Sequence, residues 1–218
     1  MFDVIAPRYD LANTLFSAGE DRHWRRVAAR AATLAPGDEA LDVACGTGAL
    51  AMALLEEQPA LRVVGVDVSA GMLARAAARS DDRAEFLVGD AANLPFEDGR
   101  FAAVTIGFGL RNLRDPTAGL EEMRRVTRPG GRLVVLEFSH PTSPAFRTAY
   151  LAYLTRVMPA LARALTPRSS AYVYLAETVA AWPNQKELAR IIALSGWSEV
   201  RWKNLTGGIV AVHQAVVR

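Results

Sequence analysis

Five short apolar runs set the character of this chain: "EALDVA" (39–44), "LRVVGVD" (61–67), "AEFLVGD" (84–90), "FAAVTIGF" (101–108) and "GRLVVLEF" (131–138). Each is rich in β-branched or aromatic residues and bounded by Gly, Asp or Pro, which reads as a strand. Between them lie helical patterns, "GALAMALLEEQ", "AGMLARAAARS" and "TAGLEEMRRVT". Strands that are apolar throughout need cover on both faces, and helices between consecutive strands supply the crossovers of a parallel sheet. The pattern predicts a doubly wound α/β fold.

At 218 residues, 51% of them hydrophobic, the chain has the size of one domain able to bury a continuous core, so positions 1–218 are expected to form a single domain. Two regions fall outside the alternation. Residues 1–35 are expected to form an N-terminal helical cover, with "EDRHWRRVAARAATL" as its main helix, and residues 143–181 a mostly helical insertion. His23, among Arg22, Trp24, Arg25 and Arg26, reads as part of a solvated helix face. Arg128-Pro129-Gly130-Gly131 predicts a stop and turn before the fifth strand. After the insertion come a helix, "NQKELARIIALSG", and two β-like stretches joined by Thr206-Gly207-Gly208, which predict an antiparallel hairpin at one sheet edge.

The 25 basic and 23 acidic side chains are spread evenly, so no basic stripe marks a nucleic-acid partner. Cys45 is the sole cysteine, which excludes an internal disulfide or a thiolate-cluster metal site and agrees with a reducing, cytoplasmic setting; no metal centre is expected. The opening "MFDVIAPRYD" lacks the order of a secretory signal.

The first strand runs through Asp42 into Gly46-Thr47-Gly48. Glycines let the backbone turn tightly and approach a ligand, and the following helix points free N–H groups at the same spot. The spacing also satisfies the dinucleotide fingerprint, a weak signal alone, so a nicotinamide or flavin enzyme is one reading. Asp42 would meet a pyrophosphate as a like charge, whereas a cationic sulfonium suits it. Asp67 ends the second strand, where a carboxylate accepts from both ribose hydroxyls of either ligand. Asp90 ends the third, where it can accept from an adenine amine while the Ala91 N–H faces a ring nitrogen. Any one of these acids could equally be a helix N-cap. Together at three strand ends they suit S-adenosylmethionine best. Thr47 is a candidate for the cofactor's carboxylate, or else shapes the turn; Met72 packs either on the adenine or on the sheet.

"LDVACGTG", "GVDVSAGML", "GDAANLPFEDGRF", "TIGFGLRNLRD", "MRRVTRPGGRLVVLEFS", "YLAETVAAWPNQKELA" and "NLTGGIVAVH", with the opening "MFDVIAPRYDLANTLFSAGEDRHWRR", together resemble the bacterial menaquinone and ubiquinone biosynthesis C-methyltransferases along essentially the whole chain. Phe108-Gly109-Leu110-Arg111-Asn112 and Asn204-Leu205-Thr206-Gly207-Gly208 are the most particular to that family. Ala49 and Ala102 stand where the family often has acidic residues. The resemblance implies a class I S-adenosylmethionine-dependent methyltransferase fold with an N-terminal helical lid, and transfer of a methyl group to a ring carbon of a reduced quinone precursor.

Under that implication Arg111 stabilises the developing oxyanion, Asn112 orients the hydroxyl or a water that takes the proton, and Tyr9 belongs to the lid. As an alternative, Arg111 pairs with Asp115 and Asn112 caps the next helix. His140 and His213 are weaker candidates for a base. The substrate is a lipidic quinol whose isoprenoid tail needs a dry channel. Leu151, Leu154, Met158, Leu161 and Leu165, on one helical face of "AFRTAYLAYLTRVMPALARAL", are the candidate lining, and a helix packed on the sheet would show the same pattern. A transient, peripheral membrane contact is expected if the channel exists. An oligomer is left open.

Overall fold

The computed structural model describes residues 19–153 and 177–218. β1 (Glu39–Val43), β2 (Arg62–Asp67) and β4 (Phe101–Gly107) form the centre of the sheet and are buried nearly throughout, as apolar runs covered on both faces should be. β3 (Ala84–Val88) lies at one edge and is more exposed. The seven strands run in the order β3-β2-β1-β4-β5-β7-β6, where β5 is Thr127–Phe138, β6 is Ser198–Leu205 and β7 is Val210–Val216. β1 to β5 pair in parallel; β7 is antiparallel to both β5 and β6. Strand order reverses beside β1, which opens a crevice at the carboxyl ends of β1 and β4.

The side chains of β1 alternate between two cores. Ala40 joins Trp24 and Ala28 of α1 (Glu20–Ala31) and Leu50 and Leu54 of α2 (Ala49–Glu57) on one face. Leu41 and Val43 meet Leu120 and Met123 of α4 (Pro116–Val126) and Leu188 and Ile192 of α6 (Gln185–Leu194) on the other. α3 (Ala70–Ala77) rests on β2 and β3 and starts at Ser69, whose hydroxyl accepts from the Met72 N–H at 3.2 Å. α5 (Pro144–Ala152) follows β5 within the expected insertion; residues 177–181 are also helical, and the intervening 154–176 lie outside the described residues.

The expected hairpin is present at the sheet edge, with β7 inside and β6 outside. Composition explains that order: β7 is largely buried, whereas β6, "SEVRWKNL", carries charges suited to an exposed edge. The stop and turn expected at residues 128–131 is instead a bulge within β5. Phe101 pairs with Thr127 but Ala103 with Arg132, and Gly130 has φ +76°. A Cβ on Gly131 would stand 2.6 Å from Thr127 Cγ2 and 2.9 Å from the Ala102 carbonyl, so the bulge packs too closely for any side chain there.

His23 lies on an exposed helix face with Arg22 and Arg26, as expected, while Trp24 between them turns inward. Trp24 is buried and its indole N–H donates to the Thr206 hydroxyl at 2.9 Å. The Gly207 Cα lies against the Phe146 ring, which a Cβ would approach to 2.7 Å, while a Cβ on Gly208 would stand 3.1 Å from the His140 carbonyl and the Thr142 nitrogen. Thr206-Gly207-Gly208 therefore joins α1, the segment after β5 and the edge hairpin.

Candidate functional site

A cavity of about 290 Å³ opens where β1, β2, β3 and β4 end, lined by Asp42, Gly46, Thr47, Asp67, Met72, Asp90, Ala91 and Asn112 among others. The strand ends are shaped by backbone that turns left-handed. Ala44 (φ +50°), Gly46 (φ +55°), Gly48 (φ +75°) and Phe108 (φ +58°) all lie in that region, costly for alanine and phenylalanine and free for glycine. Where β1 and β4 leave the sheet side by side, a Cβ on Gly109 would meet the Ala44 Cβ at 2.7 Å. Gly48 does not line the cavity itself; it starts α2 as its N-cap.

The three carboxylates differ in environment. Asp67 is held by the loop it serves: Oδ2 accepts from the Gly46 N–H at 2.8 Å and Oδ1 from the Ser69 N–H at 2.9 Å. Asp90 is exposed, and its Oδ1 accepts from the Ala92 N–H at 3.0 Å. Each thus shapes a turn and keeps lone pairs toward the cleft. Asp42 is fully buried; Oδ1 accepts from the Thr105 hydroxyl at 2.7 Å, and Oδ2 has no hydrogen-bond partner. Burial pushes its pKa up to about 7 against the opposing pull of the Thr105 hydroxyl, the Ala51 N–H and Arg25. A buried carboxylate oxygen without a donor asks for a cation or N–H from a ligand. Nothing lies within 4 Å of where a Gly46 Cβ would stand, which leaves room for that ligand against the loop.

The model of the ubiE/COQ5 methyltransferase family matches residues 1–217. The chain belongs to the ubiE/COQ5 methyltransferase family. Within it, a protein of Mycolicibacterium gilvum named demethylmenaquinone methyltransferase is 54% identical over 215 residues, covering 99% of this chain and 92% of that relative. Among solved structures, a chain of the complex between the Haloferax volcanii Trm112 methyltransferase activator and a methyltransferase superposes with a TM-score of 0.73 at 20% identity, covering 100% of this chain and 97% of that one. Haemonchus contortus phosphoethanolamine N-methyltransferase 2, solved with S-adenosylmethionine, does so at 0.64 with 18% identity, covering 86% and 50%. These likenesses fix the fold as the class I methyltransferase type. The protein is an S-adenosylmethionine-dependent methyltransferase. The orphan oxygen of Asp42 and the open cradle at Gly46 fit that cofactor's cationic amino-acid end.

In this ubiE/COQ5 methyltransferase, Asn112 reaches the cleft and Arg111 does not line it. Both sit in the 3-10 turn Leu110–Asn112 after β4, with the Asn112 amide 3.3 Å from the Phe108 carbonyl. The Arg111 guanidinium is buried behind Phe108. Its Nη1 donates to the Phe108 carbonyl at 2.7 Å and to Glu137 Oε1 at 2.7 Å, and it stacks 5.1 Å from the Phe138 ring centroid. Its Nε is buried with no hydrogen-bond partner. Burial raises the Glu137 pKa, opposed by Arg111. Arg111 therefore does not pair with Asp115, nor does Asn112 cap α4: Asp115 is that cap, accepting from the Thr117 and Ala118 N–H groups at 3.0 and 3.1 Å.

His140 and His213 serve structure. Each ring donates from Nε2 to a carbonyl, His140 to Trp182 at 2.8 Å and His213 to Gln185 at 2.9 Å, and neither lines the cleft. Tyr9 lies outside the described residues. Arg25 and Phe108 line the cleft without having been singled out for it. The signal for Arg25 was present in the sequence: Trp24 and Ala28 mark the buried stripe of α1, and Arg25 stands beside it, four residues after Asp21. For Phe108 no residue type announces a left-handed backbone. Glu137, the partner of Arg111, was hidden in an apolar strand.

Proposed function

We propose that this chain transfers the methyl group of S-adenosylmethionine to a ring carbon of demethylmenaquinol, giving menaquinol and S-adenosylhomocysteine. The observation that carries the reading is the 54% identity, over 99% of the chain, with a relative named for that reaction. When bound, S-adenosylmethionine supplies an electrophilic methyl on a cationic sulfur. Asp42 would take the cofactor's ammonium, Asp67 its ribose hydroxyls, and Asp90 with the Ala91 N–H its adenine edge; Thr47 and Met72 complete the lining. A quinol carbon is nucleophilic once a neighbouring hydroxyl is at least partly ionised. Arg111 stands outside the cleft; bonded to the Phe108 carbonyl and paired with Glu137, it positions the turn that carries Asn112. Asn112, in the cleft, orients the hydroxyl or the water that accepts the ring proton. Holding the carbon in line with the methyl–sulfur bond is the remaining contribution of the site. Tyr9 is assigned to the lid.

For the isoprenoid tail, residues 145–153 within and just after α5 are the described part of the proposed channel; Leu154, Met158, Leu161 and Leu165 lie outside the described residues. No helix among the described residues is long and apolar enough to cross a membrane; in this reading the lipidic tail of the substrate brings the protein to the membrane surface. The test supplies purified protein with methyl-labelled S-adenosylmethionine and a short-tailed demethylmenaquinone. Label is expected on the ring carbon when the quinone has been reduced and not when it is oxidised. Transfer to ubiquinone precursors or other phenols in place of demethylmenaquinol overturns the assignment.

A further inference from the structure

The methionyl end of the proposed cofactor is a zwitterion, and the cleft's acids account for its positive half alone. A carboxylate buried beside Asp42 needs a cation of its own. We infer that Arg25, delivered by α1, pairs with the α-carboxylate of the cofactor's methionyl arm. Arg25 lines the same cavity as Asp42 and Thr47 and is close enough to Asp42 to act on it electrostatically. Its guanidinium side chain is only 14% exposed, and Asp21, one turn earlier and 7% exposed, binds it through Nη1. A buried Arg–Asp pair on a helix is a poor source of stability, since desolvating two charges costs about what their attraction returns. It is a good way to hold a guanidinium still, with its remaining N–H groups available to a planar carboxylate. Among the described residues the other cation lining the cleft is Arg114, which is exposed and lies two residues after Asn112, on the side proposed for the acceptor. Asp42 and Arg25 thus form a complementary pair for ammonium and carboxylate, and α1 becomes part of the cofactor site as well as a cover over the sheet.

The inference rests on the cofactor assignment, and the test separates the two. Calorimetry on the whole protein would compare S-adenosylmethionine with decarboxylated S-adenosylmethionine, which keeps the sulfonium and the amine and lacks the carboxylate. Wild type is expected to prefer the intact cofactor by about 10- to 100-fold, the effect of one charge-assisted pair. Arg25→Ala and the better-packed Arg25→Gln are expected to lose most of that preference while binding the decarboxylated compound within about twofold of wild type; Arg25→Lys should recover part of it. Retained preference in either variant, or an equal loss for both compounds, overturns the role of Arg25. Failure of wild type to bind either compound would instead remove the cofactor assignment.

Discussion

At the scale of single residues, the arrangement around Arg111 is the most informative. An arginine at the tip of a strand reads from sequence as a group aimed at the reacting atoms, yet its charge is committed to Glu137 and to the Phe108 carbonyl, with Nε left over. Buried outside the cleft, it acts on the site through the Phe108–Asn112 turn that it holds. Arg111→Ala is therefore expected to loosen the turn that carries Asn112 and lower turnover by about 100-fold with cofactor affinity nearly unchanged; single-turnover kinetics beside calorimetry would check it, and unchanged turnover would remove the residue from the mechanism. Gly109 makes a different kind of contribution. It has ordinary negative φ, so only contact matters, and a Cβ would press on Ala44 Cβ at 2.7 Å and Ile106 Cγ1 at 3.3 Å. Gly109→Ala should spread the ends of β1 and β4 at a cost of about 1–3 kcal/mol, seen in denaturant unfolding, and weaken cofactor binding as well. Neither Glu137 nor the crowding at Gly109 was legible beforehand, because both depend on which strands end side by side.

At the scale of elements, the first five strands follow from periodicity, since each of the five apolar runs between residues 39 and 138 contains a strand and the segments between are helices or turns. The internal position of β7 and the bulge in β5 depend on pairing partners and escape local reading. So does the tether between α6 and β7. His213 is neutral and buried on β7, donating from Nε2 to the Gln185 carbonyl at the start of α6, with Nδ1 unpartnered. Burial lowers its pKa to about 4 from 6.5. The unfolded chain takes up a proton below pH 6.5 that the folded chain refuses, so stability is present above that pH and lost as pH falls toward 4. By pH 5 the loss from this one side chain is about 2 kcal/mol. His213→Phe forgoes the bond to Gln185, worth about 1 kcal/mol, and escapes the protonation penalty. Wild type should accordingly be the more stable of the two at pH 7 and the less stable at pH 5, in urea unfolding followed at both; parallel curves would show that His213 stays protonatable in the fold.

At the scale of the whole molecule, the proposed site makes fold stability and cofactor binding meet at Asp42. The glycine turn and the strand-end acids could be read from the sequence as a cofactor site, but the depth at which Asp42 sits comes from the sheet around it, between Gly65 of β2 and Thr105 of β4. With its pKa raised from 3.8 to about 7, this group favours the protonated folded state. Its contribution to stability is fully present below about pH 4 and disappears as pH rises through 7, a swing on the order of 4 kcal/mol. His213 acts with the opposite sign over an overlapping window, so comparison with Asp42→Asn isolates the carboxylate. An ammonium brought by the ligand reverses the preference, since it stabilises the ionised form that burial disfavours. Cofactor binding near neutrality should then release a proton from Asp42, and the rise in melting temperature caused by S-adenosylhomocysteine should be larger at pH 8 than at pH 6. Calorimetry in buffers of different ionisation enthalpy measures the proton directly: about half a proton released per site at pH 7 is expected from wild type and none from Asp42→Asn. Equal proton counts in the two proteins would mean that the ligand's ammonium does not sit on Asp42.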